Sequence, residues 1–222
     1  MHTGKGTLTE LMLEDGCRYA RLACPEALIP APGQYLLASY ASDAPLPVPI
    51  FYTDSAPAGF IAPAALDWKP GDDLYLRGPL GRGFSLPAHA RKVALIAFDD
   101  APSRLRGLIR PAFRQDASVV LVCSSSVESL PDELEIQPLA TLLETLQWSD
   151  YAAIDVRREN WPALKQMLTG QKPTALLREG QVLIRTSMPC GGIADCGVCA
   201  VVTPPSWKMA CKDGPVFDWN EI

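Results

Sequence analysis

The chain has 222 residues, 48% of them hydrophobic, with a formal net charge of −5 and a pI near 5.1. That length suffices for one large or two small domains with real cores, and an acidic balance with no basic stretch argues against a polyanion such as nucleic acid as partner. No apolar run approaches the roughly 18 residues needed to span a bilayer, and Met1-His-Thr-Gly-Lys-Gly lacks a signal-peptide core, so the sequence predicts a cytoplasmic protein without a membrane partner.

Residues 5 to 88 hold short strand-type runs separated by Gly and Pro: Thr7–Met12, Arg18–Ala23, Gln34–Ser39, Pro49–Thr53, Gly59–Ile61 and Asp73–Arg77. Turn signals lie between them at Asp15-Gly16, Pro32-Gly33 and Lys69-Pro70-Gly71-Asp72. Strands this short, with no helical period, predict a small antiparallel barrel over 1–88. His2 falls in a terminus expected to be loose, and neither it nor His89 has a motif partner, which argues against histidine-based catalysis.

The pattern then changes. Lys92–Phe98, Ser118–Cys123 and Tyr151–Val156 are apolar runs suited to parallel strands buried on both faces. Between the first two, Leu105, Leu108, Ile109, Ala112 and Phe113 recur at helical spacing within Ser103–Gln115, which makes a βαβ unit. Further helices are expected over Leu139–Gln147 and Trp161–Leu168. An α/β domain is expected over 89–178 and a cysteine-rich module over 179–222, entered by the run Gly180–Thr186.

Four of the seven cysteines, Cys190, Cys196, Cys199 and Cys211, stand near the end of the chain with five, two and eleven residues between them. Several thiolates on a Gly-rich loop (Gly191, Gly192, Gly197) point to a metal centre, because glycine tolerates the positive φ needed to wrap a centre. The spacing resembles the plant-type set for a two-iron two-sulfur cluster, whose first gap is four. Tetrahedral zinc remains the rival, although zinc ribbons usually present two Cys-x-x-Cys knuckles and this chain has one. Cys17, Cys24 and Cys123 read as packing residues. Trp148, Trp161, Trp207 and Trp219 read as core or interface residues.

Specific stretches carry a family resemblance. Pro32-Gly33-Gln34-Tyr35, Lys69-Pro70-Gly71-Asp72 with Gly78-Pro-Leu-Gly-Arg-Gly-Phe84, and Cys211-Lys-Asp-Gly-Pro-Val-Phe217 resemble the iron-sulfur electron-transfer subunit of type 1B dihydroorotate dehydrogenase, a branch of the ferredoxin reductase family. The resemblance implies a ferredoxin-reductase-like barrel, then a parallel-sheet domain, then an iron-sulfur module. It implies a 2Fe-2S cluster on Cys190, Cys196, Cys199 and Cys211, FAD near Pro49, Ile50, Phe51, Gly83 and Phe84, and electron exchange with a flavin-containing catalytic subunit in a hetero-oligomer. By analogy Arg82 would also approach the flavin, with a junction turn as its plain reading.

Departures from the family pattern carry their own expectations. The family's flavin stretch is Arg-Pro-aliphatic-Ser, and this chain has Val48-Pro49-Ile50-Phe51, without the cation or the hydroxyl. Phe60–Ala65 stands where a Gly-rich phosphate loop is expected. After the first parallel strand, Asp99 and Asp100 replace glycines that would admit a pyrophosphate. Asp155-Val156-Arg157 replaces the family's Cys-Gly-Pro. These changes argue against tight FAD binding and against NAD. The plain reading of the two aspartates is a solvated loop or a helix N-cap. Two functions follow: an electron relay, or a non-catalytic scaffold or assembly subunit with a structural zinc knot. Val201-Val202, Pro204-Pro205-Trp207 and Val216-Phe217 are candidate partner contacts or module core.

Overall fold

The computed structural model describes residues 1–14, 16–40, 46–99, 101–125, 127, 130–169, 179–203 and 206–222; the expected roles of Asp15, Asp100, Pro204 and Pro205 lie outside the described residues. Seven antiparallel strands build the first body: β1 (His2–Glu14), β2 (Cys17–Ala23), β3 (Tyr35–Ser39), β4 (Val48–Phe51), β5 (Asp54–Ala56), β6 (Gly59–Pro63) and β7 (Asp73–Leu80). Their order is β4-β3-β7-β1-β2-β6-β5. Strands β4 and β5 stand at opposite ends of that order, yet only Tyr52 and Thr53 join them, so the sheet must curl until its edges meet. The Thr53 N–H donates to the Ile61 carbonyl of β6 at 2.9 Å, extending the β5–β6 ladder up to the turn from β4.

Side chains alternate as the barrel requires. Along β7, Leu74 and Leu76 are buried while Asp73 and Tyr75 face out. Leu8, Leu22, Leu36, Phe60 and Leu74 fill the interior. The expected turn at Lys69–Asp72 forms, with Gly71 at φ +93° and the Lys69 N–H donating to the Asp72 carboxylate at 2.7 Å. The amino-terminal expectation is corrected, because His2 opens β1 directly opposite Gly78 of β7. A long neighbouring strand supplies the backbone partners that the polar sequence His-Thr-Gly-Lys-Gly does not advertise.

The second body is a six-stranded sheet in the order β10-β9-β8-β11-β12-β15. It comprises β8 (Lys92–Ala97), β9 (Ser118–Val122), β10 (Glu135–Gln137), β11 (Tyr151–Arg157), β12 (Gly180–Arg185) and β15 (Val216–Asp218), and a separate hairpin joins β13 (Ala200–Val202) to β14 (Trp207–Met209). All neighbours in the large sheet are parallel except β15, which runs antiparallel to β12. Helix α1 (Arg106–Arg114) covers one face, where Val93, Leu95, Val119 and Leu121 meet Leu108 and Ile109. Helices α2 (Leu142–Trp148) and α3 (Trp161–Thr169) cover the other, where Ala94, Ile96, Val120 and Ile154 meet Leu142, Leu146 and Leu164. Odd and even positions of one strand are both buried, which explains the unbroken apolar runs.

The strand order reverses between β8 and β11. In open α/β sheets the crevice beyond the carboxyl ends at such a switch point is where ligands bind. The core behind it continues into the other parts of the chain: Tyr35, Leu37 and Phe51 of the barrel and Cys199, Val201, Met209, Cys211 and Phe217 of the C-terminal stretch belong to the same buried cluster. Strand β12, which an expected boundary at 179 assigns to the cysteine module, lies inside the parallel sheet between β11 and β15. Among the described residues, no helix is long and apolar enough to cross a membrane.

Candidate metal centre

The cysteine loop runs from the end of β12 to β13. Three glycines in it adopt left-handed backbone: Gly191 at φ +63°, Gly192 at +74° and Gly197 at +71°. A side chain at Gly192 would stand 3.0 Å from the Tyr35 hydroxyl, so glycine serves both the turn and the close approach to the barrel. The hairpin does the rest. Pairing of Ala200 with Met209 returns the chain, and the Ala210 N–H donates to the Cys199 carbonyl at 3.0 Å, which brings Cys211 back beside Cys199.

The four thiols fall into two pairs. Cys196 hydrogen-bonds to the half-buried Cys190, and Cys199 hydrogen-bonds to Cys211. Burial acts to raise the Cys190 thiol, but hydrogen bonds from Cys196 and from the backbone N–H groups of Ala194, Cys196 and Ile193 outweigh it and bring the group down to about 6. Cys211 is pushed up to about 12 by burial first, then by its hydrogen bond to Cys199 and the neighbouring thiolates. Among the described residues, no three His, Cys, Asp or Glu side chains converge as ligands on a single ion.

Side chains from outside the module hold the loop's carbonyls. An Arg77 guanidinium N–H on β7 donates to the Gly191 carbonyl. The buried Tyr35 hydroxyl donates to the Cys211 carbonyl at 3.3 Å, and Arg158, after β11, donates to the Val198 carbonyl. Carbonyl dipoles thus point toward donors outside the loop while several N–H groups turn toward Cys190, an arrangement that favours negative charge at the sulfurs.

The residues expected at a flavin lie in two places. Pro49 and Phe51 line a cleft of about 350 Å³ with Arg104, Arg157, Arg185, Thr186 and Ser187, whereas the Ile50 side chain belongs to the barrel core. Gly83 and Phe84 form a junction: the Phe84 N–H donates to the Pro32 carbonyl at 2.8 Å, and Phe84 packs on both faces' cores. Arg82 takes its plain reading there, pairing with Asp218 at 3.0 Å and Glu221 at 2.9 Å.

At the switch point the aspartates are engaged by arginines. Asp155, its side chain 2% exposed, accepts from Arg185 Nε at 2.7 Å and faces Arg104 at 3.4 Å. Asp99 is neither a solvated loop residue nor free: it accepts from the Arg157 N–H and from Asn160, and lies 3.4 Å from Arg185. The Arg104 guanidinium lies over the Phe51 ring, 5.5 Å from its centroid.

Residues 186–222 match the family described as the iron-sulfur cluster binding domain of dihydroorotate dehydrogenase B. The match takes in all four cysteines of the loop. Around this iron-sulfur binding domain the fold is ferredoxin-reductase-like: the solved structure of an NADH-dependent reduced ferredoxin-NADP oxidoreductase superposes with a TM-score of 0.76, covering 97% of this chain and 88% of that one at 14% identity. The sulfhydrogenase 1 gamma subunit of Pyrococcus furiosus is 28% identical over 200 residues, 74% of this chain and 68% of the relative. The electron transfer subunit of dihydroorotate dehydrogenase B from Desulforamulus reducens is 28% identical over 180 residues, 69% of this chain and 67% of the relative.

Sequence reading missed Tyr35, Arg77 and Arg158 as supports of the iron-sulfur binding domain. Each acts on a backbone carbonyl, which leaves no side-chain pattern to find, and Arg77 is 114 residues from Gly191.

Proposed function

We propose that the chain is an electron-transfer subunit of an oxidoreductase complex. It holds a two-iron two-sulfur cluster on Cys190, Cys196, Cys199 and Cys211 and exchanges electrons with a flavin on a partner subunit. The observation that carries the reading is the match of residues 186–222, with all four cysteines, to an iron-sulfur cluster binding domain; the contacts of Cys190 with Cys196 and of Cys199 with Cys211 support the two-iron type. A two-iron cluster takes two thiolates per iron, whereas a tetrahedral zinc draws all four sulfurs to one point. Such a cluster supplies one-electron transfer. The chain's own residues supply the thiolates, the inward N–H groups and the outward carbonyl ties that hold the loop in shape.

Two relatives are named as subunits of larger enzymes, which supports a partner. The surface supports one too: Ile193, Val198, Val202 and Trp207, all in the module, are exposed large apolar side chains.

The barrel–sheet cleft does not fit a tightly held FAD. Val48 offers no cation to a phosphate, Ile50 is turned into the core, and the Phe51 face is covered by Arg104. The switch point does not suit a dinucleotide, because the carboxylates of Asp99 and Asp155 stand where a pyrophosphate would lie and engage Arg185 and Arg104. The isolated chain is therefore expected neither to retain FAD through gel filtration nor to oxidise NADH.

The test is elemental analysis of protein purified without air. Iron and acid-labile sulfide in equal amounts, two of each per chain, are expected; zinc without labile sulfide sinks the reading. The aspartates at the switch point favour a second reading, a scaffold subunit with a zinc knot. Rapid-mixing spectroscopy on the purified complex separates the two, since a relay is reduced by substrate within the turnover time and a scaffold is not.

A further inference from the structure

Resting on the relay reading above, we infer that Arg77 sets the reduction potential of the centre held by the cysteine loop, through a positive charge that no carboxylate among the described residues neutralises. Arg77 sits on β7, opposite Thr3 of β1 and Leu37 of β3, and reaches out of the barrel to the carbonyl of Gly191, the residue that follows Cys190. Among the described residues no carboxylate forms an ion pair with it, whereas Arg82, Arg104, Arg106, Arg158 and Arg185 each have one. The hydrogen bond to Gly191 places the guanidinium one residue from Cys190, and the Tyr35 hydroxyl, bonded to the Cys211 carbonyl at 3.3 Å, feels Arg77 and the Cys190, Cys199 and Cys211 thiols alike.

Adding an electron to a thiolate-held centre adds negative charge. A fixed cation beside it stabilises the reduced form more than the oxidised form, and partial burial keeps solvent from screening the effect completely. Lys5, the other cation lining the open groove beside Arg77, lies over the Tyr75 ring at 5.5 Å. Arg158 provides the internal control. It ties the Val198 carbonyl of the same loop, but it faces Glu159 at 3.8 Å, so it contributes a loop tie with little net charge.

The experiment is a redox titration of the cluster-loaded chain, followed by visible absorbance and by electron paramagnetic resonance of the reduced form. Arg77→Met is expected to lower the potential by about tenfold in the reduced-to-oxidised ratio, which is 59 mV for a one-electron couple. Arg77→Lys keeps the charge and is expected to stay near wild type, and Arg158→Met is expected to shift the potential much less than Arg77→Met. An unchanged potential in Arg77→Met, or an equal fall in Arg158→Met, overturns the proposal. If Arg77→Met cannot hold the cluster, Arg77→Gln, which keeps a donor for the Gly191 carbonyl, is titrated with the same two outcomes. Cluster loss in both neutral variants overturns the proposal in favour of a purely structural role. A wild-type chain with zinc and no labile sulfide fails earlier, and brings down the relay reading rather than the role of Arg77 within it.

Discussion

Replacing Asp155 with Asn keeps the shape of the side chain and removes its charge from the centre of the switch point. Asp155 is 2% exposed and its two oxygens serve Arg185 at 2.7 Å and Arg104 at 3.4 Å, with those guanidiniums only 12% and 18% exposed. Removing one partner of a buried ion pair typically costs about 3–5 kcal/mol, because the other charge is left uncompensated. Here Asp99 still lies 3.4 Å from Arg185, which places the cost at the lower end, about 3 kcal/mol. For a chain of this size that lowers the melting temperature by roughly 6–12 °C. Urea unfolding followed by far-ultraviolet circular dichroism gives the comparison, with Asp155→Leu combined with Arg185→Met as the second arm. The double variant removes both charges and is expected to lose less stability than Asp155→Asn alone. An Asp155→Asn midpoint indistinguishable from wild type would show that the network is a solvated surface feature.

Two further outcomes follow from the cysteine module. Val202 and Trp207 face each other across the β13–β14 hairpin and are 80% and 63% exposed, so Val202→Ser with Trp207→Ser should leave the midpoint of unfolding within about 0.5 kcal/mol of wild type while weakening co-purification of the partner subunit; retention of the partner at full stoichiometry would place the interface elsewhere. In metal-free protein, Cys190 lowered to about 6 is already thiolate at neutral pH while Cys211, raised to about 12, is not, so peptide mapping after brief iodoacetamide treatment at pH 7 should find Cys190 alkylated ahead of Cys211, with the Cys190 rate falling as the pH drops below 6.

The barrel was legible because Gly and Pro separate its strands and apolar residues alternate along them, and the βαβ unit because Lys92–Phe98 and Ser118–Cys123 flank a clear helical period. What escaped were strands whose existence depends on a neighbour. Asp54–Ala56 and Glu135–Gln137 have almost no apolar content, and Ile136 is exposed; they form because Ile61 and Val120 offer backbone partners. Met209 and Val216 belong to strands that only the returning hairpin and the edge of β12 create. The cysteine set was readable from spacing alone. Its supports were not, since a tie to a carbonyl across more than a hundred residues leaves no periodicity.

The buried cluster that runs without a break from Tyr35 and Phe51 through the parallel sheet to Cys199, Cys211 and Phe217 has a mechanical meaning. Many carriers of reducing equivalents sit on tethers and travel between donor and acceptor. A redox group seated on this loop has no such freedom, because moving it would expose side chains from all three parts of the chain to water. It is a fixed station: whatever delivers or collects an electron has to come to it, and the distance of the transfer is set by how the visitor docks.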